Sequence, residues 1–373
     1  MPDTVIIGAG PAGLAMAGRL REAGQNFEIL ERSNRIANSW QSHYERLHLH
    51  TIKEYSTLPH QDFPVSYPQY VPREKVVEYY KQYASDYGIK PQYNVEVSSI
   101  IRTESGYKIK SNQVELESDN VIVATGFNRT PVQPEWPGMS DFQGQIIHSR
   151  KYYTGRDFKG QRVLVIGFGN TGAEVALDLL EQGASPSVSI RGKVNVVPRD
   201  FFGRPTQKTA IMLNKLPVGF GDWLGTQLQK VTVGNLSRWG IEQPPYPPAY
   251  QLRTFGKTPV IDVGTIAEIK AGNIAVHHGP ARFNAKSVEF EDGSSAEFDA
   301  VVLATGYRCA VEDFVEDVQP LLNEHGVPSA CWFDDRPGLY FLGFDAYSSG
   351  LLWSINQDSG KILEHMRAKG RFA

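Results

Sequence analysis

Two stretches of the chain carry residue types and spacings that do chemistry. TVIIGAGPAGLAMAGRL (residues 4–20) and VLVIGFGNTGAEVALDL (residues 163–179) each set three glycines between an apolar run and an alanine-rich amphipathic segment. Gly8, Gly10 and Gly13 give GxGxxG with Pro11 and Ala12 inside it; Gly167, Gly169 and Gly172 repeat it around Asn170 and Thr171. The chemistry is dinucleotide binding. One glycine permits the tight turn, the next lets backbone approach a pyrophosphate, and the third lets the following helix pack on the strand. The phosphates then rest on the free N–H groups and the positive end of that helix.

The two units differ at one slot. The strand after the first helix runs into Glu31, 18 residues beyond Gly13, whereas the strand after the second runs into Arg191, 19 residues beyond Gly172. A carboxylate hydrogen-bonds a bare ribose diol, and a guanidinium offers a fork of donors to a 2′-phosphate. The first unit therefore suits FAD or NAD and the second NADPH, with Lys193 adding charge nearby. The bland alternatives are a surface glutamate and an exposed strand-end arginine. Two different dinucleotides on one chain imply electron transfer from NADPH to a bound flavin.

The elements that must position these turns fit ordinary globular composition. The 373 residues are 41% hydrophobic and 21% charged, enough for a large core and two domains. Val5–Ile7 and Arg162–Ile166 read as parallel strands buried on both faces. A net charge of -3 without a Lys/Arg cluster does not indicate a nucleic-acid or anionic-membrane surface. Cys309 and Cys331 sit in no CxxC pair, so two reduced thiols in a cytoplasmic protein are expected. The first strand starts at Thr4, which leaves no room for a cleavable signal peptide, and no apolar run is long enough to span a membrane.

Directly before the second turn, FQGQIIHSRKY (residues 142–152) places Phe142, Gly144, His148 and Tyr152 in the pattern FxGxxxHxxx(aromatic). This resembles the signature of the class B flavoprotein monooxygenases. VIVATGF (121–127) and VVLATGY (301–307) look like that family's crossing points between domains; they supply Ala124, Thr125 and Gly126, then Ala304, Thr305, Gly306 and Tyr307. Within the class the chain is most similar to the YUCCA branch, the indole-3-pyruvate monooxygenases, through RLHLHTIKE (46–54), VVPRD (196–200), GNLSRWGI (234–241) and GKTPVIDVGTIAEIKAGNIAV (256–276). Tyr152 stands where Baeyer–Villiger enzymes usually carry Trp.

The resemblance implies an α/β fold of two doubly wound Rossmann-like domains, with an NADPH domain (151–302) inserted into a discontinuous FAD domain (1–150 and 303–373). It implies flavin-site contributions from Arg32, Trp40, His48, Val97 and Asp345, and a catalytic role for His50, which fills a slot where related monooxygenases hold Asn. NADPH would reduce FAD and the reduced flavin would activate O2 at its C4a carbon to oxygenate a small organic substrate. Oxidative decarboxylation of an aryl α-keto acid is one such reaction. S- or N-oxygenation, or an NADPH oxidase or reductase without substrate oxygenation, stay open. A homodimer is a candidate assembly, and neither nucleic acid nor a membrane span is expected.

Other features carry less. His48 and His50 alternate, but no nearby Cys, Asp or Glu completes a metal set. His148 reads as an organiser of the linker, not as a base. The absence of GxSxG and CxxC argues against hydrolase and disulfide reductase chemistry. Residues 205–240 read as a helical insertion in which Trp223, Leu224 and Leu228 pack on the nucleotide domain, line an entrance or touch a membrane. Residues 242–252 read as a rigid proline-rich loop, and a closing helix is expected from about Gly350, its N-terminus available to the flavin.

Overall fold

The computed structural model describes residues 2–213, 216–344 and 349–371. In chain order β1 (Thr4–Ile7), α1 (Pro11–Glu22), β2 (Phe27–Glu31), α2 (Arg73–Asp86), β3 (Gln92–Tyr93) and β4 (Asn120–Val123) come first. There follow β5 (Gln145–His148), β6 (Arg162–Ile166), α3 (Asn170–Glu181), β7 (Ser185–Ser189), α4 (Thr206–Leu213), α5 (Val218–Thr232), α6 (Pro248–Phe255), β8 (Ala275–His277) and β9 (Ala300–Leu303). The chain closes with β10 (Leu339–Phe341) and α7 (Leu351–Ala368).

Two compact units result: residues 1–42, 51–130 and 307–373 form the first, and 43–50 with 131–306 the second. The chain crosses earlier than the 150/151 boundary read from sequence. The reason is β5, which pairs in parallel with β9 and so commits residues 145–148 to the second sheet.

Each unit is built on a five-stranded parallel sheet. The first runs β10-β4-β1-β2-β3 and the second β5-β9-β6-β7-β8. The strand leading into the glycine turn is central in both, flanked by the strand after the helix and the strand that ends in Ala-Thr-Gly. Val5, Ile6, Val163, Leu164 and Val165 are wholly buried, as apolar strands covered on both faces must be. The core of the first unit packs Ile7, Leu30 and Val123 against the strands Val97–Arg102 and Tyr107–Ser111 of a three-stranded antiparallel sheet. That of the second packs Ile166 and Leu303 against Phe283, Phe290 and Phe298.

The insertion is helical, as α4 and α5. The proline-rich stretch is not loop throughout: from Pro248 it becomes α6, because Pro at a first helical position sacrifices an N–H that has no intrahelical partner. No helix among the described residues is long and apolar enough to cross a membrane.

Candidate dinucleotide-binding sites

In the first unit Gly8 turns the chain at φ +105°, and a Cβ on Gly13 would lie 1.9 Å from the Gly8 carbonyl oxygen. Only a glycine lets α1 close on β1 here. Gly10, by contrast, faces open space and caps α1 without a side-chain bond. Pro11 has no N–H to offer, so the first-turn N–H groups of Ala12 and Gly13 are the ones an anion could meet.

Glu31 is buried at 8% exposure. Its Oε2 accepts from Ala9 N (2.8 Å), and its Oε1 accepts from Ser33 N (2.8 Å) and Ser33 Oγ (2.7 Å). Three of the roughly four acceptor sites of a carboxylate are thus taken, which leaves one for a ribose hydroxyl. Glu31 is a strut of the turn as well as the acid at its rim. Ala124 N donates to Ile7 O, and the Ala124 carbonyl abuts Gly8. Thr125 Oγ1 beside it is buried with no hydrogen-bond partner among the described residues, and Gly126 turns the chain at φ +70°. An unpaired hydroxyl at the foot of an uncapped helix fits a phosphate-bearing ligand such as FAD.

The other residues expected at this site scatter. Arg32 is exposed and donates to Arg129 O (3.4 Å), and Trp40 meets Tyr80 edge-on at 5.9 Å. Val97 is a buried core residue that also lines a cavity of about 340 Å³ with Arg129 and Phe314. Asp345 lies outside the described residues.

The second unit repeats the cradle. Gly167 has φ +104°, a Cβ on Gly172 would sit 2.0 Å from the Gly167 oxygen, and Gly169 is open. Gly169 caps α3 without a side-chain bond, and Thr171 is half-buried on its first turn. Asn170 is committed elsewhere: its Oδ1 accepts from Ile261 N (2.7 Å) and its Nδ2 donates to Pro259 O (3.4 Å). Arg191, two residues past β7, is exposed and has no hydrogen bond or ion pair with any described residue. An unengaged guanidinium at this slot fits the 2′-phosphate of NADPH.

Ala304 N donates to Ile166 O (2.8 Å), Thr305 Oγ1 donates to Val132 O (2.5 Å), and Gly306 turns the chain at φ +86° just before Tyr307 returns it to the first unit. His148 fixes this crossing. Its Nε2 donates to Gly306 O (3.2 Å) and its Nδ1 accepts from Arg150 N (3.1 Å), so the ring is the neutral Nε2–H tautomer. Burial holds its pKa below the usual histidine value.

Residues 43–50 form a strap within the second unit. Leu47 and Leu49 are buried, and His48 is exposed with Nδ1 donating to Arg46 O (2.7 Å). His50 donates through Nε2 to buried Glu174 of α3, and its Nδ1 is buried without a partner among the described residues. Arg46 binds Glu181 through two 2.8 Å bonds and approaches Glu174 at 3.9 Å. Asp178, between the two glutamates on α3, accepts from Tyr152 Oη (2.6 Å) and Gly155 N (2.8 Å). Glu174 escaped notice in the sequence. Its only signal is the i, i+4, i+7 spacing of carboxylates at 174, 178 and 181, which names no partner. No group of three or more metal-ligating side chains occurs among the described residues, and His48 and His50 have separate partners.

Comparison with known proteins agrees with this geometry. The family model described as pyridine nucleotide-disulphide oxidoreductase matches residues 5–200. The probable indole-3-pyruvate monooxygenase YUCCA3 of Arabidopsis thaliana is 37% identical over 356 residues, covering 91% of this chain and 81% of its own. The indole-3-pyruvate monooxygenase YUCCA6 of the same plant is 39% identical over 353 residues, covering 91% and 85%. Among solved structures, a flavin-containing monooxygenase from Stenotrophomonas maltophilia superposes with a TM-score of 0.75 at 21% identity over 99% of this chain and 98% of its own, a likeness of fold. The chain belongs to the flavin monooxygenases, FAD- and NADPH-dependent oxidoreductases, on the branch of the indole-3-pyruvate monooxygenases.

Proposed function

We propose that the first cradle holds FAD, the second holds NADPH, and the reaction is oxidative decarboxylation of an aryl α-keto acid of the indole-3-pyruvate type. The observation that carries the cofactor assignment is the contrast at one slot: a buried, largely satisfied Glu31 in one unit and, in the other, an exposed Arg191 unpaired among the described residues. The α-keto acid follows from the relatives named for it at 37–39% identity. Bound FAD, reduced at the expense of NADPH, supplies the electrons that activate O2. One oxygen atom ends in the new carboxylic acid, which is one carbon shorter, the other in water, and the lost carbon leaves as CO2.

The chain's own groups bind and orient. First-turn N–H groups of α1 and α3 hold the two pyrophosphates, Glu31 keeps one acceptor site for a ribose hydroxyl, and Arg191 clamps the 2′-phosphate. His148 holds the crossing at Gly306. His50 is the candidate catalytic side chain: with Nε2–H given to Glu174, the neutral ring presents a bare Nδ1 to a ligand donor.

The test is product analysis under 18O2 with NADPH. Indole-3-pyruvate should give the shortened acid carrying one labelled oxygen, with CO2 released in step with NADPH consumed. Labelled sulfoxide from methyl phenyl sulfide, with no acid from the keto acid, would overturn the substrate assignment and leave the monooxygenase intact.

A further inference from the structure

The insertion, read from sequence as packing on the nucleotide domain, lining an entrance or touching a membrane, turns its apolar side chains outward. Eight of the twelve large hydrophobic side chains exposed among the described residues lie between Phe202 and Phe255. On α5 the buried residues are Gly221 and Gln229, and the Gln229 amide donates inward to Asn195 Oδ1 (3.2 Å) and Val196 O (2.8 Å). The apolar residues face outward. Phe220 is 53% exposed, Trp223 56% and Val231 73%, and they fall on one helical face with exposed Lys230. Phe220 and Trp223 stack on each other at 5.9 Å, as side chains do when no core takes them. An apolar face of this kind in water marks a contact surface.

Charge selects the partner. Residues 202–257 hold seven Lys and Arg against two Asp and Glu, a local formal charge of +5 in a chain whose total is -3. Asp222, one of the two acids, is already paired with Arg253 of α6. A second copy would bring two such basic faces together, and like charges oppose that contact. An anionic bilayer surface satisfies both features: aromatic rings seat at headgroup level while lysines snorkel to phosphate. The 15 residues of α5 extend about 22 Å, short of a hydrocarbon core of about 30 Å, so the helix lies on the membrane and does not cross it. The whole-chain charge had hidden this face.

We infer that α4, α5 and α6 form a peripheral docking surface for anionic phospholipid bilayers, anchored by Phe220 and Trp223 and steered by Lys208 and Lys230. The test is co-sedimentation of the purified holoenzyme with vesicles of phosphatidylcholine alone or with about one third phosphatidylglycerol. Binding is expected only to the anionic vesicles, with a blue-shifted tryptophan emission, and is expected to fall at about 0.5 M salt. Lys230→Glu should weaken it at least about fivefold, one basic side chain being worth roughly that factor near such a surface. Phe220→Glu/Trp223→Glu should abolish binding while NADPH-dependent flavin reduction and the circular dichroism spectrum stay unchanged. Absent binding at low salt, equal binding to neutral vesicles, wild-type binding by the double variant, or a dimer that the double variant dissolves would each overturn the inference.

Discussion

Glu31 and Arg191 close the same position in two copies of one motif, yet the carboxylate is drawn inward and the guanidinium left in solvent. The cause is reach and stoichiometry. A short acceptor beside Ala9 N–H and the Ser33 donors satisfies them at once, whereas the acceptors an arginine needs are not within reach of residue 191. Because Arg191 is unengaged, its removal should leave the fold alone and cost only what it gives a ligand. A charge-assisted contact of about 1.5–3 kcal/mol corresponds to roughly 10- to 150-fold in affinity. Arg191→Ala is therefore expected to raise the KM for NADPH by that factor and to leave the KM for NADH nearly unchanged. An equal rise for both coenzymes would show that the residue is not the phosphate clamp.

At the scale of elements, both glycine turns were legible in the sequence because their requirements are local: an apolar strand, a turn that a Cβ would block, and a helix start without a cap. Asn170 and Glu174 lie within or beside the same motif and were not legible as what they are, since their partners come from residues 259–261 and from the strap at 43–50. The direction of α5 was hidden for the same reason; periodicity marks an apolar stripe but not what covers it. The strap illustrates the point most fully. It is tied to α3 by the carboxylates at 174 and 181, which take His50 and Arg46. Glu174→Gln preserves volume but removes the carboxylate that His50 bonds and Arg46 approaches, a loss of about 1–3 kcal/mol of local hydrogen bonding. Hydrogen exchange in residues 43–50 should then accelerate at least about fivefold, while β4 of the other unit, residues 120–123, keeps its protection. Unchanged exchange across the strap would mean that Leu47 and Leu49 alone hold it.

The whole molecule carries a pH dependence that follows from three histidines in both units. His148 is buried with its neutral tautomer fixed, His277 lies flat on Phe290 at 4.3 Å, and His365 stacks on Trp332 at 4.5 Å with Nε2 buried and unbonded. Burial lowers the pKa of each below the ordinary value of 6.5. The unfolded chain then binds these protons at higher pH than the folded one, so stability is full above about pH 6.5 and is lost as pH falls toward the folded values. The slope is bounded by about 1.4 kcal/mol per pH unit for each proton taken up. Asp299, beside the Arg162 guanidinium, titrates at about 2, and Asp292, held down by Ser294, also titrates below its usual range, so both remain ionised throughout. The melting temperature should therefore drop between about pH 6.5 and 5. His277→Phe and His365→Phe, which keep a flat ring on Phe290 and Trp332 but cannot take up a proton, should flatten that fall. A midpoint that stays level until about pH 4.5 and only then declines would assign acid sensitivity to carboxylates instead.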